Sequence, residues 1–144
     1  MQNLYKTASS FRRAIEDAVR CGELSEMMTF PRGCCGHASN LLQRYFWEKK
    51  IFTWYVSGQY GYGWNGINHA WLETQDGIVV DITGDQFKGN VLEFCEPVYV
   101  GGRNDGFHDK FILDKPIAYQ ISSDPLEQDR KFDKRYEIVK KYMR

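Results

Sequence analysis

The sequence predicts one α+β domain in which N-terminal helices pack on an antiparallel β-sheet. Apolar residues recur at helical spacing before residue 50, and β-branched and aromatic residues then dominate 51–57, 68–74 and 78–83. The chain of 144 residues has the usual size of a single domain. We find no repeat, linker or low-complexity run, so 1–144 is treated as one unit.

Two helices are expected in the first third of the chain. Ser9 or Ser10 is expected to cap the first helix, which runs to about Cys21 and stops at Gly22. A break containing proline and glycine follows, and the second helix is expected over 36–49. Its apolar stripe consists of Ala38, Leu41, Leu42, Tyr45 and Phe46.

The middle of the chain predicts a strand over 51–57 and then a hairpin formed by 68–74 and 78–83. The glycine-rich, aromatic segment 58–66 lies between them and is expected to form a loop suited to a lid or substrate platform. The weaker elements after residue 84 are short strands at 97–100 and 110–113 and a charged helix at 124–144.

The composition argues against several classes of partner. Lys plus Arg and Asp plus Glu both number 19, so total charge indicates neither a nucleic-acid partner nor an anionic membrane. The first residues lack a signal-peptide pattern, and no apolar run reaches the length of a membrane span. We expect a cytoplasmic protein with four free thiols, or an effector or toxin domain delivered without a cleaved signal.

The register of the hairpin brings a histidine and an aspartate together. A three-residue loop at 75–77 pairs Leu72 with Val80 and makes one face consistently apolar, whereas a two-residue loop would mix apolar and charged residues on each face. The longer loop places His69 and Asp81 on the other face as diagonal neighbours. An imidazole and a carboxylate can form a hydrogen bond across that spacing.

Two cysteines stand where the second helix begins. The N-terminus of a helix lowers the pKa of a thiol, and both Cys34 and Cys35 qualify by position. Gly33 and Gly36 on either side leave the backbone uncrowded for a substrate. A cysteine followed by a histidine on one strand and an aspartate on the next is the set that covalent acyl transfer requires.

The runs GCCGHASNLLQRYF, VSG and HAWLETQDGIVVDITGDQF together resemble the core signature of the transglutaminase-like branch of the papain-like cysteine peptidase superfamily. The likeness covers about 33–87 and implies a papain-like core. It also implies Cys35 as nucleophile, with Cys34 as the alternative, His69 as base and Asp81 as the residue that orients the base. The short segment before the cysteines leaves no room for the additional domains of animal transglutaminases, which favours hydrolysis over transglutamination.

The predicted function is therefore a cysteine-dependent hydrolase or acyltransferase that acts on a peptide bond or side-chain amide of a protein or peptide. Trp64, Asn68 and Trp71 are the predicted substrate contacts. No cofactor is implied, and no metal site is predicted, because adjacent cysteines do not form the usual zinc-binding spacing. The alternative hypothesis is a catalytically inactive papain-fold binding or immunity-type module.

The sequence leaves open which group donates to the oxyanion and what His37 does. The backbone N–H of Cys35 is the expected donor to an oxyanion, with Gln59, Asn68 and Trp54 as candidate side-chain donors. His37 is a poor base for the thiol, because side chains two residues apart on a helix do not face each other.

Overall fold

The structure, a computed structural model, describes residues 3–61, 66–119 and 127–143. Within these ranges the chain forms three α-helices and one six-stranded antiparallel sheet, which confirms the predicted α+β class. The helices are α1 (Leu4–Arg20), α2 (Cys35–Glu48) and α3 (Glu127–Lys141). The strands are β1 (Thr53–Tyr60), β2 (Ile67–Thr74), β3 (Val79–Asp81), β4 (Tyr99–Gly101), β5 (Ile112–Leu113) and β6 (Ile117–Ala118). Single 3₁₀ turns form at Ser25–Met27, Gly84–Phe87 and His108–Lys110.

Helix α1 begins earlier than the sequence predicts. Its cap is Asn3, whose side-chain oxygen accepts a hydrogen bond of 3.0 Å from the backbone N–H of Lys6, so the expectation of a cap at Ser9 or Ser10 is wrong. The helix extends towards the N-terminus because Ala8 continues the buried stripe. The predicted stop is confirmed, since the helix ends at Arg20 and residue 22 follows with a φ of 76°.

The sheet has the order β4-β3-β2-β1-β5, and β6 also pairs with β1. The predicted loop over 58–66 is wrong for residues 58–60, which continue β1 and pair with β2. Gly58 lies opposite His69, and a Cβ there would lie 2.8 Å from the carbonyl oxygen of Ile112. The glycine therefore permits the close approach of β5 rather than a loop.

The register of the β2–β3 hairpin is the one that the alternation of the sequence predicts. Leu72 pairs with Val80, and the backbone N–H of Thr74 donates to the carbonyl of Ile78 over 2.9 Å. Gly77 has a φ of 82°, as the three-residue loop requires. The predicted C-terminal strands correspond to β4 and β5, and the predicted last helix corresponds to α3, with 124–126 and 144 of its predicted range outside the described residues.

Both faces of the sheet are buried. One face packs against the helices through Leu72, Val80 and Ile82. The other face is covered by the irregular segment 84–111, which supplies aromatic side chains to a second apolar cluster. This cluster contains Val56, Trp71, Val79, Phe87, Leu92, Phe107 and Phe111. In the described part of the chain, none of the helices has the length and apolar character needed to cross a bilayer.

Candidate active site

The two adjacent cysteines have opposite environments. Cys35 is the first residue of α2 and is half-buried, whereas Cys34 precedes the helix and is 2 % exposed within the helical core. Burial raises the pKa of the Cys34 thiol, and a hydrogen bond with Thr29 only partly offsets it. Cys34 is therefore a buried thiol that stays protonated, in the ordinary role of a small apolar side chain.

The Cys35 thiol has its pKa lowered. Burial acts to raise this pKa, but a hydrogen bond and charge interaction with His69 outweigh it, and the backbone N–H of Ala70 adds a further hydrogen bond to the sulfur. Cys35 is thus the more acidic of the two adjacent thiols. Cys35 is also the first residue of α2, where the helix dipole favours a negative charge.

His69 and Asp81 form the hydrogen bond that the hairpin register predicts. His69 Nε2 lies 2.6 Å from Asp81 Oδ2, and both side chains are fully buried. Burial alone would lower the pKa of His69, but the charge of Asp81 and the hydrogen bond to it raise that pKa to about 9. The histidine therefore holds a proton next to Cys35, and the thiolate and the imidazolium stabilise each other.

Asp81 accepts more hydrogen bonds than the sequence suggested. Its Oδ1 accepts the backbone N–H of Thr83 over 3.0 Å, and its Oδ2 lies 2.7 Å from Nε2 of His108. Burial acts to raise the pKa of Asp81, but the charge of His69 and these hydrogen bonds hold it well below its usual range. Asp105 in turn contacts His108 through Nδ1 over 2.6 Å. The sequence analysis did not identify Asp105 or His108, because both lie after residue 84, between the weakly predicted strands at 97–100 and 110–113.

The three side chains His69, Asp81 and His108 also meet the loose geometric requirement for a metal site, since their ligand atoms lie within 4.8 Å of one another. Their distances argue against that use. Each histidine nitrogen lies 2.6 or 2.7 Å from the same carboxylate oxygen, which is hydrogen-bond length. A tetrahedral ion with ligands at about 2.1 Å would hold its donor atoms about 3.4 Å apart. The observed distances therefore fit hydrogen bonds between the three side chains.

A glutamine connects the histidine to the backbone that precedes the cysteines. Gln86 Nε2 lies 3.3 Å from His69 Nδ1 and 3.2 Å from the hydroxyl of Thr83. Its Oε1 accepts the backbone N–H of Gly33 over 3.4 Å. Because the backbone N–H of Gly33 can only donate, this contact orients the amide so that Nε2 faces the histidine, where it can donate to Nδ1 only while that nitrogen carries no proton. Gln86 is a third residue that the sequence analysis did not identify.

The turn that carries Gln86 is held by a buried arginine. Arg12 of α1 forms a bidentate pair with Asp85, with N···O distances of 2.6 and 2.9 Å. The same guanidinium donates to the backbone carbonyls of Ile82 and Pro97 over 2.9 and 3.0 Å. A signal for this residue was available in the sequence, because Arg12 interrupts the apolar stripe of α1.

The predicted substrate contacts lie in different environments. Asn68 is exposed next to His69. Trp71 is fully buried, packs beside His69 with ring centroids 5.5 Å apart, and donates through Nε1 to Glu73 over 3.0 Å. It forms part of the wall behind the histidine and offers no surface to a substrate in this conformation. Trp64 lies outside the described residues.

The remaining candidates lie further from the thiol or on other surfaces. Gln59 donates to the carbonyl of Gly61, and Trp54 lies near the opposite end of β1, paired with Glu73. His37 is half-buried, and burial together with the charge of Arg135 lowers its pKa. The helix therefore directs His37 towards α3, as its spacing from Cys35 predicts.

Comparisons of the chain with family models, with curated proteins and with solved structures find no match. We therefore draw the function from the geometry and charges of the site. The arrangement offers an acidic thiol, a histidine that can exchange a proton with it, and an ionised carboxylate that fixes the histidine ring. This is the chemistry of nucleophilic attack on a carbonyl.

Proposed function

We propose that this protein is a cysteine-dependent acyl-transfer enzyme with a papain-like core that hydrolyses a peptide bond or a side-chain amide of a protein or peptide. The observation that carries the proposal is the buried hydrogen bond of 2.6 Å between His69 and Asp81, on a histidine that lowers the pKa of Cys35. Burial of this kind is costly unless the groups are paired, and pairing of a carboxylate, an imidazole and a thiol serves nucleophilic catalysis.

In the first half of the reaction, the Cys35 sulfur attacks the amide carbon and the carbonyl oxygen takes up negative charge. Backbone N–H groups at the start of α2 stabilise this oxyanion. Nε2 of His69 is engaged by Asp81, so Nδ1 is the nitrogen that delivers its proton to the leaving amine. The C–N bond then breaks and leaves a thioester on Cys35.

In the second half, a water molecule attacks the thioester. His69 Nδ1 accepts a proton from this water as the oxygen bonds to the carbonyl carbon. The C–S bond breaks, the carboxylic acid leaves with the other hydrogen of the water, and the resting pair of Cys35 thiolate and protonated His69 is restored. Asp81 stays ionised throughout, because its hydrogen bonds keep its pKa low, and it holds the imidazole ring in one orientation.

The first test is labelling with iodoacetamide, read for each cysteine by mass spectrometry from about pH 4 to about pH 9. We expect Cys35 to label well below the free-thiol pKa of about 8.5 and this advantage to disappear in His69→Ala. The chain supplies its own controls. The exposed Cys21 and Cys95 are the accessible thiols with which Cys35 is compared, and the buried Cys34 should label only after unfolding.

A Cys35 that labels slowly, with the pH dependence of Cys21 and Cys95, would contradict the proposal. In that case the inactive binding or immunity-type module would become the better hypothesis. Retained rapid labelling of Cys35 in His69→Ala would also contradict it, because the thiol would then owe its acidity to the helix alone.

A second assay separates the two kinds of amide. Incubation with glutamine-containing peptides is followed both by ammonia release and by the appearance of new amino termini. Deamidation releases ammonia with the peptide chain intact, whereas peptide hydrolysis produces new termini without ammonia. Both products should disappear in Cys35→Ala.

A further inference from the structure

Asp81 has a second histidine partner that the reaction above does not use. His108 is fully buried, and its Nε2 lies 2.7 Å from Asp81 Oδ2. Its other ring nitrogen, Nδ1, lies 2.6 Å from Asp105 Oδ2. Each nitrogen of this ring therefore faces a carboxylate oxygen at the short distance of a charge-assisted hydrogen bond.

Both carboxylates act as acceptors. Asp105 Oδ1 accepts the backbone N–H groups of Phe107 and His108 over 3.1 and 2.8 Å, and Asp81 Oδ1 accepts that of Thr83 over 3.0 Å. Because their other oxygens already accept backbone N–H groups, both carboxylates meet the imidazole as hydrogen-bond acceptors. The ring must then carry a hydrogen on both nitrogens, which makes it a buried imidazolium between two carboxylates.

We propose that His108 is a positioning residue that acts through Asp81, fixing its orientation and sharing its negative charge with His69. This inference rests on the proposed function, because it concerns the same site. When the rings of His69 and His108 both donate to the same oxygen of Asp81, each ring is stabilised less by that negative charge than it would be alone. His108 therefore limits how strongly Asp81 holds the proton on His69, and the proton stays available for transfer to a leaving group.

Few other titratable groups lie close enough to His108 to change the titration of His69. Asp81 approaches from β3, His69 from β2, Asp105 from the same loop, and the ring of Tyr99 in β4 stacks on it at 5.2 Å. Burial and the charge of Asp105 raise the pKa of Tyr99, so this phenol is neutral near neutral pH. The other rings packed against His108 are the uncharged Trp71, Phe94 and Phe107.

The test is a nitrogen-15 NMR titration of the histidine rings in the full chain. The sequence contains three histidines, so His37→Gln and His108→Phe assign all signals. In the wild type we expect both His108 ring nitrogens to carry a hydrogen, seen as a one-bond N–H coupling on each nitrogen. In His108→Phe we expect the titration of His69 to move upward by about one pH unit, because Asp81 then holds that proton alone.

Two further variants control for a structural effect. Asp105→Asn removes one acceptor of His108 and should move the His69 titration in the same direction by a smaller amount. Asp109→Asn changes an exposed carboxylate in the same turn and should leave it unchanged. A neutral His108 ring in the wild type overturns the proposal. An unchanged His69 titration in His108→Phe also overturns it; if that variant does not fold, an unchanged titration in Asp105→Asn is decisive.

This readout is independent of catalysis. A wild type without early labelling of Cys35 refutes the proposed function, while the NMR titration still decides whether His108 acts on His69 through Asp81. Conversely, the enzyme could be active while its His69 titration does not respond to His108→Phe. That result would support the proposed function and reject the role of His108 in it.

Discussion

The segments 33–83 and 84–111 contribute to the same site in different ways. The first contains an α-helix and a regular hairpin and carries the three groups that would react, Cys35, His69 and Asp81. The second consists mainly of short turns, yet it supplies His108 and covers the histidine with aromatic rings. Regular elements with a fixed register place Cys35, His69 and Asp81, and the irregular segment adds a hydrogen bond to Asp81 and aromatic rings beside His69.

The largest expected effect comes from replacing the cysteine nucleophile of segment 33–83. Cys35→Ser should lower amide hydrolysis by at least about 10³-fold, because the serine hydroxyl lacks the acidity of the thiol. The matched control is Cys34→Ser, which should keep activity and lower the free energy of unfolding by about 1 kcal/mol, since a hydroxyl replaces a buried sulfur. Steady-state rates and urea unfolding measure the two effects. Equal losses of activity in both variants would contradict the distinction between the two thiols.

Asp81→Asn tests the connection between the two segments. The pKa of His69 is raised to about 9 by Asp81, so loss of the charge should lower it. Cys35 then loses its cationic partner near neutral pH, its labelling curve should shift to higher pH, and hydrolysis should fall by about 10³-fold. A labelling curve identical to the wild type, in a variant whose circular dichroism is unchanged, would show that Asp81 does not control the histidine.

Arg12→Met tests whether Arg12 stabilises the turn at the start of segment 84–111. The substitution leaves the Asp85 carboxylate and two backbone carbonyls without their donor, so we expect the free energy of unfolding to fall by about 3 kcal/mol. Arg13 is exposed on the same helix, and Arg13→Met should cost less than about 0.5 kcal/mol. Urea denaturation followed by tryptophan fluorescence compares the two. Similar midpoints for both variants would mean that the Arg12 pair contributes little to the turn.

The smallest expected effect concerns Gln86, whose amide competes with Cys35 for Nδ1 of His69. Removing this amide in Gln86→Ala should leave the Nδ1–H of the protonated ring to the Cys35 sulfur alone, so the labelling of Cys35 near pH 5 should speed up by about threefold. Gln75→Ala, in the exposed hairpin turn, is the control and should leave the rate unchanged. Slower labelling in Gln86→Ala would indicate that the glutamine supports the cysteine and histidine pair instead.

The sequence predicts those features of the structure that depend on interactions between residues close in the chain. The hairpin register follows from the alternation of side chains and one short turn, and it predicts the contact between His69 and Asp81. The position of Cys35 follows from a helix start beside two glycines. These features involve residues that are close in the chain or related by a regular period.

The unpredicted parts depend on contacts between distant segments without a period. His108 meets Asp81 across 27 residues, and Arg12 meets Asp85 across 73. Neither segment 84–111 nor a single arginine in a helix has a repeating pattern that specifies its partner. The extension of β1 to Tyr60 was missed for a related reason, because the glycine at 58 is explained only by the neighbouring strand β5.

The short strands at the two sides of the sheet have a consequence for association between molecules. Strand β4 has three residues, and the outer side of the eight-residue strand β1 is occupied in two places, by β5 and β6. Long open strands pair readily with strands of other chains, and short or covered ones resist it. The sheet thus presents little backbone on which a second copy could add a strand, and the fold is protected from edge-to-edge aggregation even though its interior is rich in aromatic and β-branched residues.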